Sequence, residues 1–135
     1  MPVESDSYTP VQRDGNSGRV LYPETLEEFL AKGGGINSYN MPNMGYEAAA
    51  AELASYAGRQ PLLVSVAGFS IEDYLLGSKT FAPLDSVSAI VFNVGCPNSG
   101  HGEIMSFLPR VVNELLTQLS LVPQPRPIWL KFSPY

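Results

Sequence analysis

The chain has one cysteine, one histidine and one tryptophan in 135 residues. A lone thiol, Cys96, cannot close an intramolecular disulfide, so a disulfide scaffold is excluded and a reducing compartment is expected. No metal site is read from the sequence. Basic residues are scarce too: eight Lys and Arg against thirteen Asp and Glu give a net charge of −5 and a pI near 4.7, with no basic cluster. Nucleic acid and anionic membrane surfaces are therefore not expected partners. No apolar run approaches the ~20 residues that span a bilayer. Met1 to Thr9 is polar and acidic, unlike a signal or transit peptide, so a cytoplasmic location is expected.

What is present is an ordinary globular balance, 44% hydrophobic with a mean hydropathy near zero, enough for one moderate core. Residues 1–22 are rich in Ser, Asp, Gly and Pro and read mostly as loop, with a short strand at Arg19 to Tyr22 at most. From residue 23 onward strands and helices alternate. Thr25 caps a helix over Leu26 to Lys32 that Gly33 to Gly35 stops. Ile36 to Asn43 reads as a short strand running into a turn held by amides. Apolar residues at helical spacing begin at Tyr46, and Gly58 ends that segment. Leu62 to Val66 is a buried strand, Ser70 caps a short helix to about Leu76, and Val87 to Val94 is the next strand. Ser106 is the expected N-cap of an amphipathic helix with Pro109 in its first turn, and Ile128 to Phe132 is the last strand.

Strands that are short and apolar throughout, separated by helices, mean a parallel sheet covered on both faces. The chain stops within three residues of a strand's end, and a closed parallel barrel takes about 250 residues. The expectation is an α/β chain forming roughly the first half of a (β/α)8 TIM barrel, with about four parallel strands in a single partial domain over residues 1–135. A small open α/β sheet is the competing reading.

Chemistry concentrates where the Val87 to Phe92 strand ends in Asn93-Val94-Gly95-Cys96-Pro97-Asn98-Ser99-Gly100. In parallel α/β folds the C-terminal mouth of a strand is where active sites sit. Together with Ile36-Asn37-Ser38 and Met41-Pro42-Asn43, this stretch resembles class 1 dihydroorotate dehydrogenases, most closely class 1A, and Trp129-Leu130-Lys131-Phe132-Ser133-Pro134 is similar to the same family's flavin-contacting strand. The likeness covers about Thr9 to Tyr135, the first half of the family's FMN-binding barrel less its opening strand. The flavin domain of dihydropyrimidine dehydrogenase carries a similar cysteine loop, with a histidine where this chain has Asn98.

The resemblance implies oxidation of dihydroorotate to orotate with FMN, a soluble electron acceptor such as fumarate, and a homodimer when full length. It makes Cys96 the catalytic base. Asn37, Asn40, Met41, Asn93 and Asn98 become substrate-binding, and Ser7, Asn93 and Lys131 cofactor-binding. The residue chemistry agrees. A free thiol titrates at about 8.5, near enough to neutrality to supply thiolate with modest help. Amides offer both a donor and an acceptor to a uracil-like ring. A cation beside the flavin N1/O2 edge favours its reduced, anionic form. The plainer alternatives are a structural cysteine, turn-forming asparagines and a lysine reaching solvent. No Gly-x-Gly-x-x-Gly is present, so the flavin is implied by the resemblance alone. His101, between Gly100 and Gly102, is read as a residue of a mobile loop.

The chain departs from the family at several positions. Asp6 stands before Ser7 where the family has a lysine that meets the substrate carboxylate. Asn40 replaces a glycine, Tyr39 a methionine and Gly95 a serine, and Gly33 to Gly35 with the preceding helix resembles an insertion. The barrel's other half would supply the phosphate site, so the chain by itself is expected to be inactive. The alternative is a catalytically inactive half-barrel.

Overall fold

A computed structural model describes residues 1–96 and 104–133. Its elements in order are β1 (Val3–Tyr8), β2 (Leu21–Tyr22), α1 (Leu26–Lys32), β3 (Ile36–Asn37), α2 (Tyr46–Leu53), β4 (Leu62–Val66), α3 (Ile71–Phe81), β5 (Val87–Asn93), a 3-10 turn (Met105–Phe107), α4 (Pro109–Ser120) and β6 (Ile128–Lys131). Four strands make one parallel sheet in the order β1-β4-β5-β6. Helical crossovers α3 and α4 join β4 to β5 and β5 to β6. The arrangement is a partial (β/α)8 barrel.

One face of the sheet is packed by helices. Tyr46, Ala49 and Leu53 of α2, Tyr74 and Phe81 of α3, and Leu115 and Leu119 of α4 close over Val64, Val66, Ile90 and Phe92. Phe81 meets the Tyr46 ring edge-on at 5.5 Å, and Tyr74 tilts against Phe92 at 5.1 Å. Each such fully buried side chain contributes about 2 kcal/mol of transfer free energy. The opposite, inner face carries a smaller cluster of Leu63, Ala89 and Val91, with Ser65 fully buried beside it.

Within residues 1–22, Val3–Tyr8 and Leu21–Tyr22 are strands, and the first of these was not expected. β1 pairs with β4 and forms an edge of the main sheet. Its sequence, Val-Glu-Ser-Asp-Ser-Tyr, lacks an apolar run because much of the strand is exposed. The anticipated strand at Ile36 lies in a separate ribbon instead. Ile36 and Asn37 pair antiparallel with Tyr22 and Leu21, within the long crossover from β1 to β4. Asn37 is therefore not at the mouth of a barrel strand.

Helix ends also differ. α3 runs eleven residues to Phe81 rather than stopping near Leu76. Gly77 is a contact glycine, since a Cβ there would lie 2.5 Å from Val66 Cγ1. Its absence lets α3 lie close against β4. α2 ends at Leu53, short of Gly58, where the Ser55 hydroxyl donates to the Glu52 carbonyl and the chain tightens. Ser106 is not the cap of α4. The residue before Pro109 is held out of the helical region (Leu108 φ −114°, ψ 78°), so the helix starts at Pro109. Thr25 and Ser70 do cap as expected, the latter in a reciprocal box with Asp73.

Candidate active site

Three segments build the site: the end of β1, the turn before α2 and the exit of β5. On the inner face Ser7 and Ser65 pair hydroxyl to hydroxyl at 2.9 Å, and the Asn93 amide donates to Ser7 Oγ at 3.0 Å. A bulge between Glu4 and Ser7 puts this arrangement in register, and the Ser65 N–H it displaces donates to Ser5 Oγ at 3.0 Å. Lys131 lies opposite Asn93 on β6, half exposed, and its ammonium pairs with the Glu4 carboxylate.

The turn over residues 40–45 is held from two sides. Asn40 and Met41 adopt positive φ, 61° and 51°, which costs a non-glycine residue about 1–2 kcal/mol. Arg13 compensates by donating to the Asn40 carbonyl and to its side-chain Oδ1, while its guanidinium lies 5.0 Å over the Phe69 ring. Asn43 does the rest. Its Oδ1 accepts from the N–H groups of Thr9 and Gly45, and its Nδ2 donates to Thr9 Oγ1 and the Met41 carbonyl. Thr9 is fully buried, so this network ties the turn to the end of β1.

Cys96 follows β5 and is partly buried. The chain reaches it through Gly95, where any Cβ would overlap the backbone of Phe132 and Ser133 at the β6 exit. Tyr74 braces the same strand end from the helix side, donating its hydroxyl to the Asn93 carbonyl at 2.9 Å. Burial pushes the Tyr74 phenol up to about 12, with the Asp73 and Cys96 charges adding and a Gly68 backbone hydrogen bond opposing. Tyr46, whose hydroxyl donates to the Ala67 carbonyl, is raised as well, first by burial.

Two cavities meet at Cys96. One, about 270 Å³, is lined by Asp6, Ser7, Asn37, Tyr39, Met41, Pro42, Asn93 and Cys96. The other, about 240 Å³, runs between the β4 and β5 exits past Gly68, Phe69, Tyr74 and Met105, sharing Met41, Asn93 and Cys96 with the first. The first cavity thus collects five of the residues expected to form a site: Ser7, Asn37, Met41, Asn93 and Cys96. Asn40 does not line it, its Oδ1 being engaged by Arg13. Lys131 sits beside it, opposite Asn93. Asn98 and His101 lie outside the described residues.

Sequence reasoning missed Ser65, Asn43, Thr9 and Tyr74. Asn43 stands inside the Met41-Pro42-Asn43 motif and could have been found there. Tyr74 looks like any aromatic on a helix, so nothing in the sequence marks it.

Comparison with known proteins decides the family. A family model described as dihydroorotate dehydrogenase matches residues 3–135. The chain belongs to the dihydroorotate dehydrogenase family. Among relatives, it is 33% identical over 106 residues to dihydroorotate dehydrogenase A (fumarate) of Limosilactobacillus reuteri, covering 75% of this chain and 34% of that one. It is 29% identical to the catalytic subunit of dihydroorotate dehydrogenase B (NAD(+)) of Cutibacterium acnes, covering 76% and 34%. A dihydroorotate dehydrogenase (fumarate) of Trypanosoma cruzi aligns over 97% of this chain and 40% of its own length at 29% identity. The chain therefore spans about a third of the length of the curated dihydroorotate dehydrogenases it matches. The crystal structure of an Eimeria tenella dihydroorotate dehydrogenase in complex with ferulenol superposes with a TM-score of 0.58 at 14% identity, covering 95% of this chain and 41% of that one. That likeness supports the barrel fold. Among the described residues no helix is long and apolar enough to cross a membrane.

Proposed function

We propose that this chain forms the cysteine-bearing wall of a flavin-dependent enzyme that oxidises dihydroorotate to orotate in pyrimidine biosynthesis. The observation that carries the reading is the 270 Å³ cavity in which Ser7, Asn37, Met41, Asn93 and Cys96 meet, although they come from separate parts of the chain. Family membership supplies the reaction class.

The inner-face donor set fits FMN: the Ser7 hydroxyl, the Asn93 amide and the Lys131 ammonium match a ring edge of alternating carbonyl and nitrogen groups. FMN, when bound, supplies the hydride acceptor that no side chain provides. Asn93 and Lys131 would orient that ring edge, and Lys131 would contribute the compensating positive charge. Asn37, and Asn98 from the cysteine loop, hold the pyrimidine ring by its amide groups, while Met41 packs against it. Cys96, as thiolate, removes the proton from the carbon adjacent to the one that gives up hydride, and becomes a neutral thiol. The fumarate relatives support a soluble acceptor of that kind, and a homodimer is our reading for the full-length protein.

The test replaces Cys96 by Ala and by Ser in the FMN-loaded protein and follows anaerobic bleaching of the flavin by dihydroorotate. Loss of general-base catalysis should slow bleaching by about 10²- to 10⁴-fold in both variants while bound FMN is retained. Wild-type rates in both would overturn the assignment of Cys96. One observation favours a second reading: among the described residues, Asp6 is the only charged side chain lining the cavity, and an aspartate opposes a substrate carboxylate. A dihydropyrimidine-dehydrogenase-like site would accept the uncharged ring. Faster bleaching by dihydrouracil than by dihydroorotate selects that reading.

A further inference from the structure

We propose that Glu4 is the built-in counter-ion of Lys131 and sets how strongly the inner face of the sheet holds an anionic flavin. The inference rests on the flavin reading above and concerns a residue with no assigned role in it. Lys131 is the only cation carried by the four strands of the main sheet. Glu4 and Lys131 stand on β1 and β6, the first and last strands of that sheet, yet their side chains form an ion pair. Adjacent strands lie about 4.8 Å apart, so in a flat sheet the two strands alone would be separated by roughly 14 Å, and Lys131, level with Asn93, is also offset along the strands from Glu4, level with Leu63 and Ala89. The pair therefore closes a chord across the concave side of a curved sheet, from the level of Leu63 and Ala89 at Glu4 to that of Asn93 at Lys131. Glu4 takes its place on that face by register, opposite Leu63, just before the bulge that brings Ser7 opposite Ser65.

Both partners remain partly exposed, 45% for Lys131 and 37% for Glu4. Ion pairs so placed are weak and exchangeable, so an incoming anion can take the Lys131 ammonium from Glu4. Binding an anion here means displacing one carboxylate while keeping it nearby as a like charge. Glu4 thus weakens the site for anions without touching the ligand, and Lys131 is the group through which it acts.

Titrating FMN with the full-length protein that contains this chain, and following quenching of flavin fluorescence, tests this directly. Glu4→Gln should tighten FMN binding roughly threefold to tenfold, the size expected on removing one half-exposed like charge. Glu4→Ser should move affinity in the same direction, guarding against a folding artefact of one variant. Lys131→Met should weaken binding and abolish the gain from Glu4→Gln in the double variant. Riboflavin in place of FMN tells the sources of negative charge apart. The same gain with riboflavin places the ring edge at Lys131, and a gain confined to FMN, with inorganic phosphate competing, places the phosphate there. Affinity unchanged or weakened in both Glu4 variants overturns the proposal, as does a gain that persists without Lys131. Absence of quenching by wild type and every variant instead overturns the flavin reading on which it rests.

Discussion

Tyr74→Phe removes one oxygen from a ring that is 2% exposed and leaves the rest of the packing in place. The oxygen donates to the Asn93 carbonyl at 2.9 Å, at the point where β5 turns toward Cys96. Losing a buried donor while its acceptor stays behind costs about 1–2 kcal/mol. In a chain of this size that lowers the melting temperature by roughly 3–8 °C. The pH dependence makes the prediction sharper. The Tyr74 phenol is raised from 10.0 to about 12 in the folded chain, chiefly by burial. Above pH 10 the unfolded chain has released this proton and the folded one has not, so rising pH favours unfolding. Stabilisation fully present below pH 10 is lost between 10 and 12, and amounts to about 2–3 kcal/mol. The Tyr74→Phe variant has no such proton. Wild type should therefore lead at pH 8 and lose its lead as pH climbs toward 12, while the raised Tyr8 and Tyr46 leave a residual alkaline slope in both proteins. Urea unfolding at pH 8, 10 and 11 measures the difference. A gap between the two proteins that stays constant over that range would refute the reasoning.

Asn43→Ala takes away the acceptor for the Thr9 and Gly45 N–H groups and the donor to the Met41 carbonyl. It should destabilise by about 2–4 kcal/mol in chemical denaturation, whereas Asn43→Asp, which keeps both acceptor contacts, should cost less. Equal losses would mean that the bonds donated to Thr9 Oγ1 and the Met41 carbonyl dominate. Gly95→Ala forces a Cβ into the backbone of Phe132 and Ser133, an overpacking that costs about 1–3 kcal/mol. Amide exchange along Ile128–Lys131 should quicken in this variant, and unaltered protection there would show that the β6 exit can yield without cost.

Patterns that report burial were readable in the sequence. Leu62 to Val66 is apolar because both its faces are covered, and it falls within the residues expected. Thr25 and Ser70 announce their helices because a cap is a local device, complete within four residues. β1 was illegible for the opposite reason. It is an edge strand with polar side chains, and its identity as a strand comes from pairing with a segment nearly sixty residues away. The length of α3 was illegible for a similar reason, since the place of Gly77 in it is set by Val66 across the packed layer and not by its neighbours in the helix. For the site, the motif residues Asn37, Met41, Asn93 and Cys96 line one cavity. Of the groups that hold them, Asn43 lies inside a motif, whereas Tyr74 carries no signature, because a hydrogen bond to a distant backbone leaves no local pattern.

The wiring of the site also bears on when it forms. The Asn93–Ser7 hydrogen bond closes a loop of 86 residues and the Ser7–Ser65 contact one of 58. The second needs β1 docked on β4, and the first needs β5 in place beside them as well. Part of the helix-side core, Tyr74 and Phe81 against Val64, Val66, Ile90 and Phe92, lies within the β4-α3-β5 unit, whose contacts are closer in sequence and cheaper in chain entropy. The central strands therefore supply a platform, and the polar layer of Ser7, Ser65 and Asn93 is assembled on it by the edge strand. Such a layer gains little net stability from its own hydrogen bonds. It stands at the strand ends, beside Cys96 and opposite Lys131, and the apolar face behind it supplies the stability that this placement does not. Weakening β1 alone should thus dismantle the cavity before it dismantles the sheet.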